Sequence, residues 1–287
     1  MSTSARVLSL HGVATNVDHR LFSFRNMCEE NDLGRFLRAA APFVPLANAL
    51  TGKGIGLTID DATGGAAAAA MLARNLGHAV TLFVNPEQVE LGTPHSFLVM
   101  HLMLDTLGGR PVSLWGERYP SRSKANRQQL HSAIKTRLRA IVDERARLAM
   151  LSDLGAEWGT ARFTVPPHLR TLTRDDLIAL RDAGVDIQNH GWSHTSHRDL
   201  SAQDSAREIA SGRAWLQREL RVDAPLFAVP FGDDLPHPSV SADCTTWFSL
   251  HPALASGWLA PDVFNRDVLD VTPPRSSWRR WWERRFH

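Results

Sequence analysis

Cysteine is nearly absent from this chain. Only Cys28 and Cys244 occur in 287 residues, far apart and without a C-x-x-C, which excludes a disulfide framework and a thiolate zinc site. A metal site would therefore have to draw on histidine and carboxylate. Excess charge of one sign is missing too: 32 Lys and Arg stand against 30 Asp and Glu, a net charge of +2. That balance excludes a protein whose main task is coating nucleic acid and confines any basic surface to a local patch. Long hydrophobic runs are also lacking. The stretches from Ala39 to Leu50 and from Phe97 to Leu104 are broken by Pro42 and Pro45 or by His101, well short of the roughly 20 apolar residues of a bilayer span. Met1 to Val13 carries one early Arg and a short apolar run, Val7 to Leu10, which does not read as a secretory leader. The expected location is the cytoplasm. No internal repeat and no long linker interrupts the chain.

What is present suits a globular fold. Hydrophobic residues make up 43% and charged residues 22%, enough apolar surface to offset the ordering entropy and to exclude disorder. Arg6 to Leu10 reads as a short strand, and Cys28 to Ala41 has helical spacing, with Leu33, Phe36, Leu37 and Ala40 on one face. Gly54 to Ile59 is an apolar strand that stops on two adjacent carboxylates, Asp60 and Asp61. A helix from Ala62 to Gly77 and a strand from His78 to Val84 follow, a βαβ order that favours a parallel sheet.

Thr173 to Ala183 opens with a capping threonine and acidic residues and stops at Gly184. Val185 to Gln188 is a strand running into Asn189-His-Gly-Trp-Ser-His194. Ser201 to Leu220 is an amphipathic helix, and Leu226 to Val229 is a strand with Pro230-Phe-Gly232 as its turn. One α/β domain over residues 1–270, with a helical insertion at about 90–165 and a tail at 271–287, is the simplest organisation. Within the insertion, eight Lys or Arg between Arg122 and Arg147 are set against Asp143 and Glu144. They form either a solvated helical face or an arm that meets an anionic substrate.

Two features carry chemistry. Asp60 and Asp61 stand where a parallel strand meets its loop, the end at which α/β folds build sites. Adjacent carboxylates repel, and one resolution is that one binds a cation while the other takes a proton; the plainer alternative makes Asp61 a helix N-cap. His190 and His194 are spaced so that both imidazoles can meet one metal when the segment turns, with His197 just beyond; the plainer alternative is surface polarity. An Asp and two His leave open positions on Zn²⁺ or a similar ion for water and substrate, and a second Asp beside them supplies a base.

At these residues the chain resembles the polysaccharide deacetylases, the NodB-homology or carbohydrate esterase 4 group. Thr58-Ile-Asp-Asp-Ala62 is similar to their TFDDG motif, Asn189-His-Gly-Trp-Ser-His194 to their NHxxSH motif, and Phe227-Ala-Val-Pro-Phe-Gly232 to the FAYPFG turn of one subset. The resemblance implies a distorted (β/α)7 barrel. It implies a divalent metal, expected as Zn²⁺, on Asp61, His190 and His194, with Asp60 as general base. Pro230, Phe231, Gly232 and Trp192 would meet the substrate. The implied reaction removes an N-acetyl group from an acetamido sugar, expected as a lipid-linked or nucleotide-linked precursor.

Three departures from the family pattern stand out. Ala62 replaces a glycine, which restricts the turn if that position needs positive φ. Ala228 stands where many members carry the Arg that orients the base, so that partner is absent or supplied from elsewhere. No late L-x-H, the usual source of the general acid, follows the expected last strand; His11 and His251 are the two candidate replacements. These losses leave open a barrel that binds sugar without hydrolysing it, or an amidase or deformylase of a non-sugar molecule. Finally, the tail Ser277 to His287 interleaves three Trp and one Phe with four Arg, a composition suited to peripheral membrane contact or to packing back on the domain.

Overall fold

The computed structural model describes residues 5–18, 21–24, 27–120, 122–198, 200–232, 244–251, 254–269 and 271. The tail at 277–287 lies outside the described residues. Nine strands form one sheet: β1 (Arg6–Leu10), β2 (Ile55–Asp60), β3 (Thr81–Val84), β4 (Asp186–Asn189), β5 (Leu226–Ala228), β6 (Thr246–Ser249), β7 (Gly257–Ala260), β8 (Val263–Asn265) and β9 (Asp267–Val268). Their order is β7-β8-β6-β5-β4-β3-β2-β1-β9. Every neighbouring pair is parallel except β7 with β8. The helices are α1 (Glu30–Ala39), α2 (Leu46–Leu50), α3 (Gly64–Asn75), α4 (Pro86–Leu91), α5 (Ser96–Thr106), α6 (Lys124–Arg139), α7 (Glu144–Trp158), α8 (Arg174–Asp182) and α9 (Ala202–Trp215).

Side chains alternate along each strand, so one face of the sheet differs from the other. Leu8, Leu10, Leu57, Ile59, Leu82, Val84 and Ile187 pack under α1, α3, α8 and α9 in the main core. The intervening residues Val7, Phe83, Ala228, Phe248 and Phe264 join Leu46 and Ala49 of α2 in a separate core. That second core contains residues of β1 and β8, which are far apart in the strand order, so the sheet curls around it. The α/β fold that the resemblance implies is present, and its barrel is open. Among the described residues no ladder joins β7 to β9; instead Ser256 Oγ accepts from the Val7 amide at 3.0 Å, and the Ser256 amide donates to Asp267 Oδ1 at 3.1 Å.

Between Ser96 and Trp158 the insertion builds its own core, with Phe97, Met100 and Leu104 of α5, Leu130, Ile134 and Leu138 of α6, and Leu151, Leu154 and Trp158 of α7. Among the described residues no helix is long and apolar enough to cross a membrane.

The start of α3 corrects one alternative. Asp61 is not the N-cap: Thr63 is, its Oγ1 accepting the Ala66 amide at 3.2 Å. The two glycines after it are there for contact. A Cβ on Gly64 would lie 2.2 Å from the Pro167 carbonyl oxygen, and one on Gly65 would lie 2.5 Å from that of Val13. Gly12, at φ +138°, faces the same helix end, where a Cβ would sit 2.6 Å from the Gly65 carbonyl carbon. Gly12→Ala should therefore cost about 1–3 kcal/mol of stability, read from urea unfolding.

Candidate active site

The register of the sheet brings the C-terminal ends of its strands level: Leu10 pairs with Ile59, Asp60 with Phe83, Val84 with Asn189, Asn189 with Phe227, and Ser249 with Asn265. The residues that follow these ends, among them His11, Asp61, His190, Leu250 and Arg266, line one cavity of about 260 Å³ together with Asp60. α5 and α6 of the insertion form its outer wall.

Asp60 is buried and inward-facing. Arg266, itself 1% exposed, grips it in a two-pronged ion pair, Nη1 to Oδ1 at 2.7 Å and Nη2 to Oδ2 at 2.8 Å, and also donates to Thr58 Oγ1 at 3.1 Å. This is the cation that Ala228 does not provide. Burial raises the Asp60 pKa, but the Arg266 guanidinium, with His190 and His11 adding to it, holds the carboxyl below its ordinary value. Asp60 is thus an oriented, ionised acceptor.

Asp61 faces three imidazoles instead. Its carboxylate lies 3.8 Å from His190 Nε2, 3.6 Å from His194 Nε2 and 3.7 Å from His95 Nε2. These separations exceed a hydrogen bond. They are a few tenths of an ångström wider than the roughly 3–3.5 Å between ligand atoms sharing one ion at zinc–ligand distances of about 2 Å. Asp61 Oδ1, His95 Nε2 and His194 Nδ1 are buried with no hydrogen-bond partner, and the donor atoms of Asp61, His95 and His194 lie within 4.8 Å of one another. A divalent metal fits the Asp61 oxygen together with two of the three imidazoles that surround it.

Hydrogen bonding separates the histidines. His190 Nδ1 is 2.7 Å from the Ala228 carbonyl oxygen and must donate to it, which leaves the Nε2 lone pair directed at Asp61. His95 caps α5, its Nδ1 accepting the Leu98 amide at 3.3 Å, which leaves Nε2 as the ring nitrogen that carries a proton. His190 is thereby prepared as a ligand, and His95 as a donor towards the Asp61 carboxylate. Burial pushes His190 and His194 below the ordinary histidine value, so both are neutral at pH 7, as metal ligands must be.

Backbone strain is concentrated here. Asp61 (φ +71°), His194 (φ +54°) and Phe231 (φ +65°) are left-handed, a conformation that costs a non-glycine residue about 1 kcal/mol or more and persists only where the surroundings enforce it. Ala62 is not among the positive-φ residues, so its Cβ is accommodated. The enforcing contacts at His194 come from the insertion. Arg147 of α7, fully buried, donates to the Ser193 carbonyl and to Thr195 Oγ1, both at 2.9 Å. The same guanidinium pairs with Glu144 at 2.8 Å, and Glu144 accepts from the amide and hydroxyl of Ser96 at the start of α5. One ion pair thus holds both the His194 loop and the helix end that presents His95. Phe231 packs edge-on against His194 at 4.8 Å and Phe97 at 4.7 Å.

Of the residues singled out from sequence, Asp60, Asp61, His11, His190, His194, Phe231 and Gly232 share the cavity. The buried Pro230, the half-buried Trp192, which packs against the main core, and the exposed His251 do not line it. His251 uses its backbone amide to hold Asn265 Oδ1 at 2.8 Å. Arg266 and His95 escaped the sequence reading. The signal for Arg266 was its place directly after the apolar strand end Val263-Phe-Asn265; His95 had only the weak signature of a residue before an apolar helix.

A buried carboxylate held by a cation, beside a second carboxylate faced by buried imidazoles at the C-terminal end of a curled parallel sheet, is an arrangement suited to hydrolysis. The family model for polysaccharide deacetylase matches residues 47–242, and the chain belongs to that family. Membership supports de-N-acetylation of a sugar as its activity. Among solved structures, the fold is similar to the Streptococcus pyogenes deacetylase PplD in complex with acetate, at 11% identity over 95% of each chain and a TM-score of 0.59. It is also similar to IcaB from Ammonifex degensii, at 14% identity over 93% of this chain and 92% of that one with a TM-score of 0.56. A third is a de-N-acetylase from Aggregatibacter actinomycetemcomitans, at 12% identity over 98% and 99% of the two chains with a TM-score of 0.54. At these identities the likeness concerns the fold. Among curated proteins none matches the sequence.

Two expectations follow. Because Arg266 holds the Asp60 pKa down, Arg266→Gln raises it: the acidic limb of kcat/KM should move to higher pH by about one unit or more, with a loss of about 3–5 kcal/mol in urea unfolding for the orphaned charge. Elemental analysis should find a divalent metal in the purified protein, with occupancy reduced at least about tenfold by Asp61→Asn or His194→Ala and retained in Asp60→Asn.

Proposed function

We propose that the protein is a metal-dependent N-deacetylase of an acetamido sugar, acting on a lipid-linked or nucleotide-linked precursor. Asp61, His190 and His194 are the ligands of a divalent ion, taken as zinc, and Asp60 is the general base. The observation that carries this reading is the separate compensation of two adjacent buried aspartates, one by Arg266 and the other by neutral imidazoles.

When bound, the ion lowers the pKa of water and polarises a carbonyl. The chain's own groups do the rest. Asp60, kept ionised and oriented by Arg266, accepts the proton of the attacking water. His95, its Nε2 3.7 Å from Asp61, lines the buried side of that carboxylate. His11, whose Nδ1 is buried in the cavity wall without a hydrogen-bond partner, holds the proton for the departing amine, a role for which the exposed His251 is poorly sited. Phe231 and Gly232 shape the wall against which the sugar rests. The reading of the chain as a binding barrel without turnover loses one of its two supports, since Arg266 stands in for the cation missing at Ala228, while the absent late histidine still stands.

The test is acetate release from a panel of acetamido sugars in free, nucleotide-linked and lipid-linked form. Release should stop on chelation and return with Zn²⁺, and Asp60→Asn should lower kcat by about 10²-fold or more with metal content unchanged. Metal-replete protein that cleaves none of the panel would reject the proposal.

A further inference from the structure

The far wall of the cavity is built from residues that the hydrolytic reading does not use. His101 of α5 and His131 of α6 face each other with Nε2 atoms 3.2 Å apart, so that one ring donates to the other. Phe22 stacks on both, at 5.0 Å and 3° to His131 and at 6.0 Å and 26° to His101. Phe22 is itself fixed, because its amide and that of Ser23 donate to the Asp105 carboxylate at 2.8 and 2.9 Å. Lys135 follows His131 by one helical turn and so shares its face of α6. Its Nζ lies 5.2 Å from the centre of the Phe231 ring, the ring that packs on His194. Phe231 is therefore flanked by the metal-side histidine and by an ammonium. Among the described residues that line the cavity, Asp60 and Asp61 are the only carboxylates, and both belong to the opposite wall.

We infer that His101, His131 and Lys135 form a subsite for a phosphate group carried by the acetamido sugar. The inference rests on the deacetylase reading for the position of the acetamido group and on the insert wall for everything else. Lysine is a point-charge phosphate binder, and of the two imidazoles joined through Nε2 the accepting ring keeps its Nδ1–H as one directed donor. The guanidinium fork that would favour a planar carboxylate is turned elsewhere: Arg139 donates to Ser196 and lies over Phe231. Ordering is largely complete before the ligand arrives, because Phe22 and Asp105 already hold the rings in place.

The experiment compares kcat/KM of the metal-loaded full chain for an N-acetylated amino sugar bearing an anomeric phosphate and for the same sugar bearing a neutral methyl group. The wild type should prefer the phosphorylated sugar by at least about tenfold. Lys135→Gln should cut that ratio several-fold, and Lys135→Glu should abolish it. His101→Gln and His131→Gln should each reduce the ratio, with folding checked by circular dichroism. A wild-type ratio near one, or a ratio that the variants leave unchanged, overturns the subsite.

Binding of the sugar phosphate to chelator-treated protein, followed by calorimetry, keeps the two proposals distinct. Binding that Lys135→Glu removes upholds the subsite even if no sugar is deacetylated, whereas deacetylation of the neutral sugar without such binding upholds the activity and rejects the subsite. Free sugar phosphate, a nucleotide diphosphate sugar and a lipid diphosphate sugar serve as three arms that identify the source of the phosphate.

Discussion

The ion pair between Asp60 and Arg266 sets the shape of everything around it. In the strand order, β8, which leads into Arg266, is five steps from β2, which ends on Asp60; at about 4.8 Å per step a flat sheet would hold them roughly 24 Å apart. They touch at 2.7 and 2.8 Å. The sheet must curl until its far strands meet across the inner core of Phe83, Phe248 and Phe264, and Arg266 lies 5.4 Å from the Phe83 ring centre. A charge so deeply buried is tolerable only with its partner in place, so the curl and the pair require one another. Ser256 holds the remaining seam with side-chain and backbone bonds in place of a ladder.

The same constraint divides the labour between neighbouring carboxylates. Asp60 has its counter-charge built in. Asp61, turned into the left-handed region, points the other way into a ring of imidazoles whose burial keeps His190 and His194 neutral. Those two neutral rings cannot offset a carboxylate, and the Asp61 side of the cavity therefore favours a cation. A divalent ion answers that demand better than protons do, because protonating these histidines means charging groups that burial has discharged.

Much of this was legible in the sequence, and the reason is locality. Asp60 and Asp61 stand together, and His190 and His194 share one short loop, so each half of the site could be read from a few consecutive residues. The strands that carry them were equally plain, because apolar runs ending on polar residues mark the ends of buried parallel strands. Arg266 was not legible, since its partner is 206 residues away and only the curl unites them. His95 was hidden in the same way, behind an insertion whose fold periodicity alone did not reveal. His251, which mimics a motif, has its backbone amide bonded to Asn265 and lies exposed, outside the cavity. Asp61 as a helix cap was a sound local inference that Thr63, two residues on, fulfils instead.

Arg147 also bears on how the cavity can move. An insertion of three helices with its own core, leaning over a pocket, invites comparison with a lid that swings aside to admit substrate. Here the hinge is pinned from within: Arg147 grips the loop that carries His194, Arg139 reaches Ser196 in the same loop, and Glu144 ties the helix end beside His95. Any outward swing of the insertion would drag the histidines out of place and strip a buried guanidinium of its partners. With the insertion held in this way, substrate enters past it rather than by displacing it, and with the proposed carrier-linked sugar the carrier would stay outside while the sugar alone goes in.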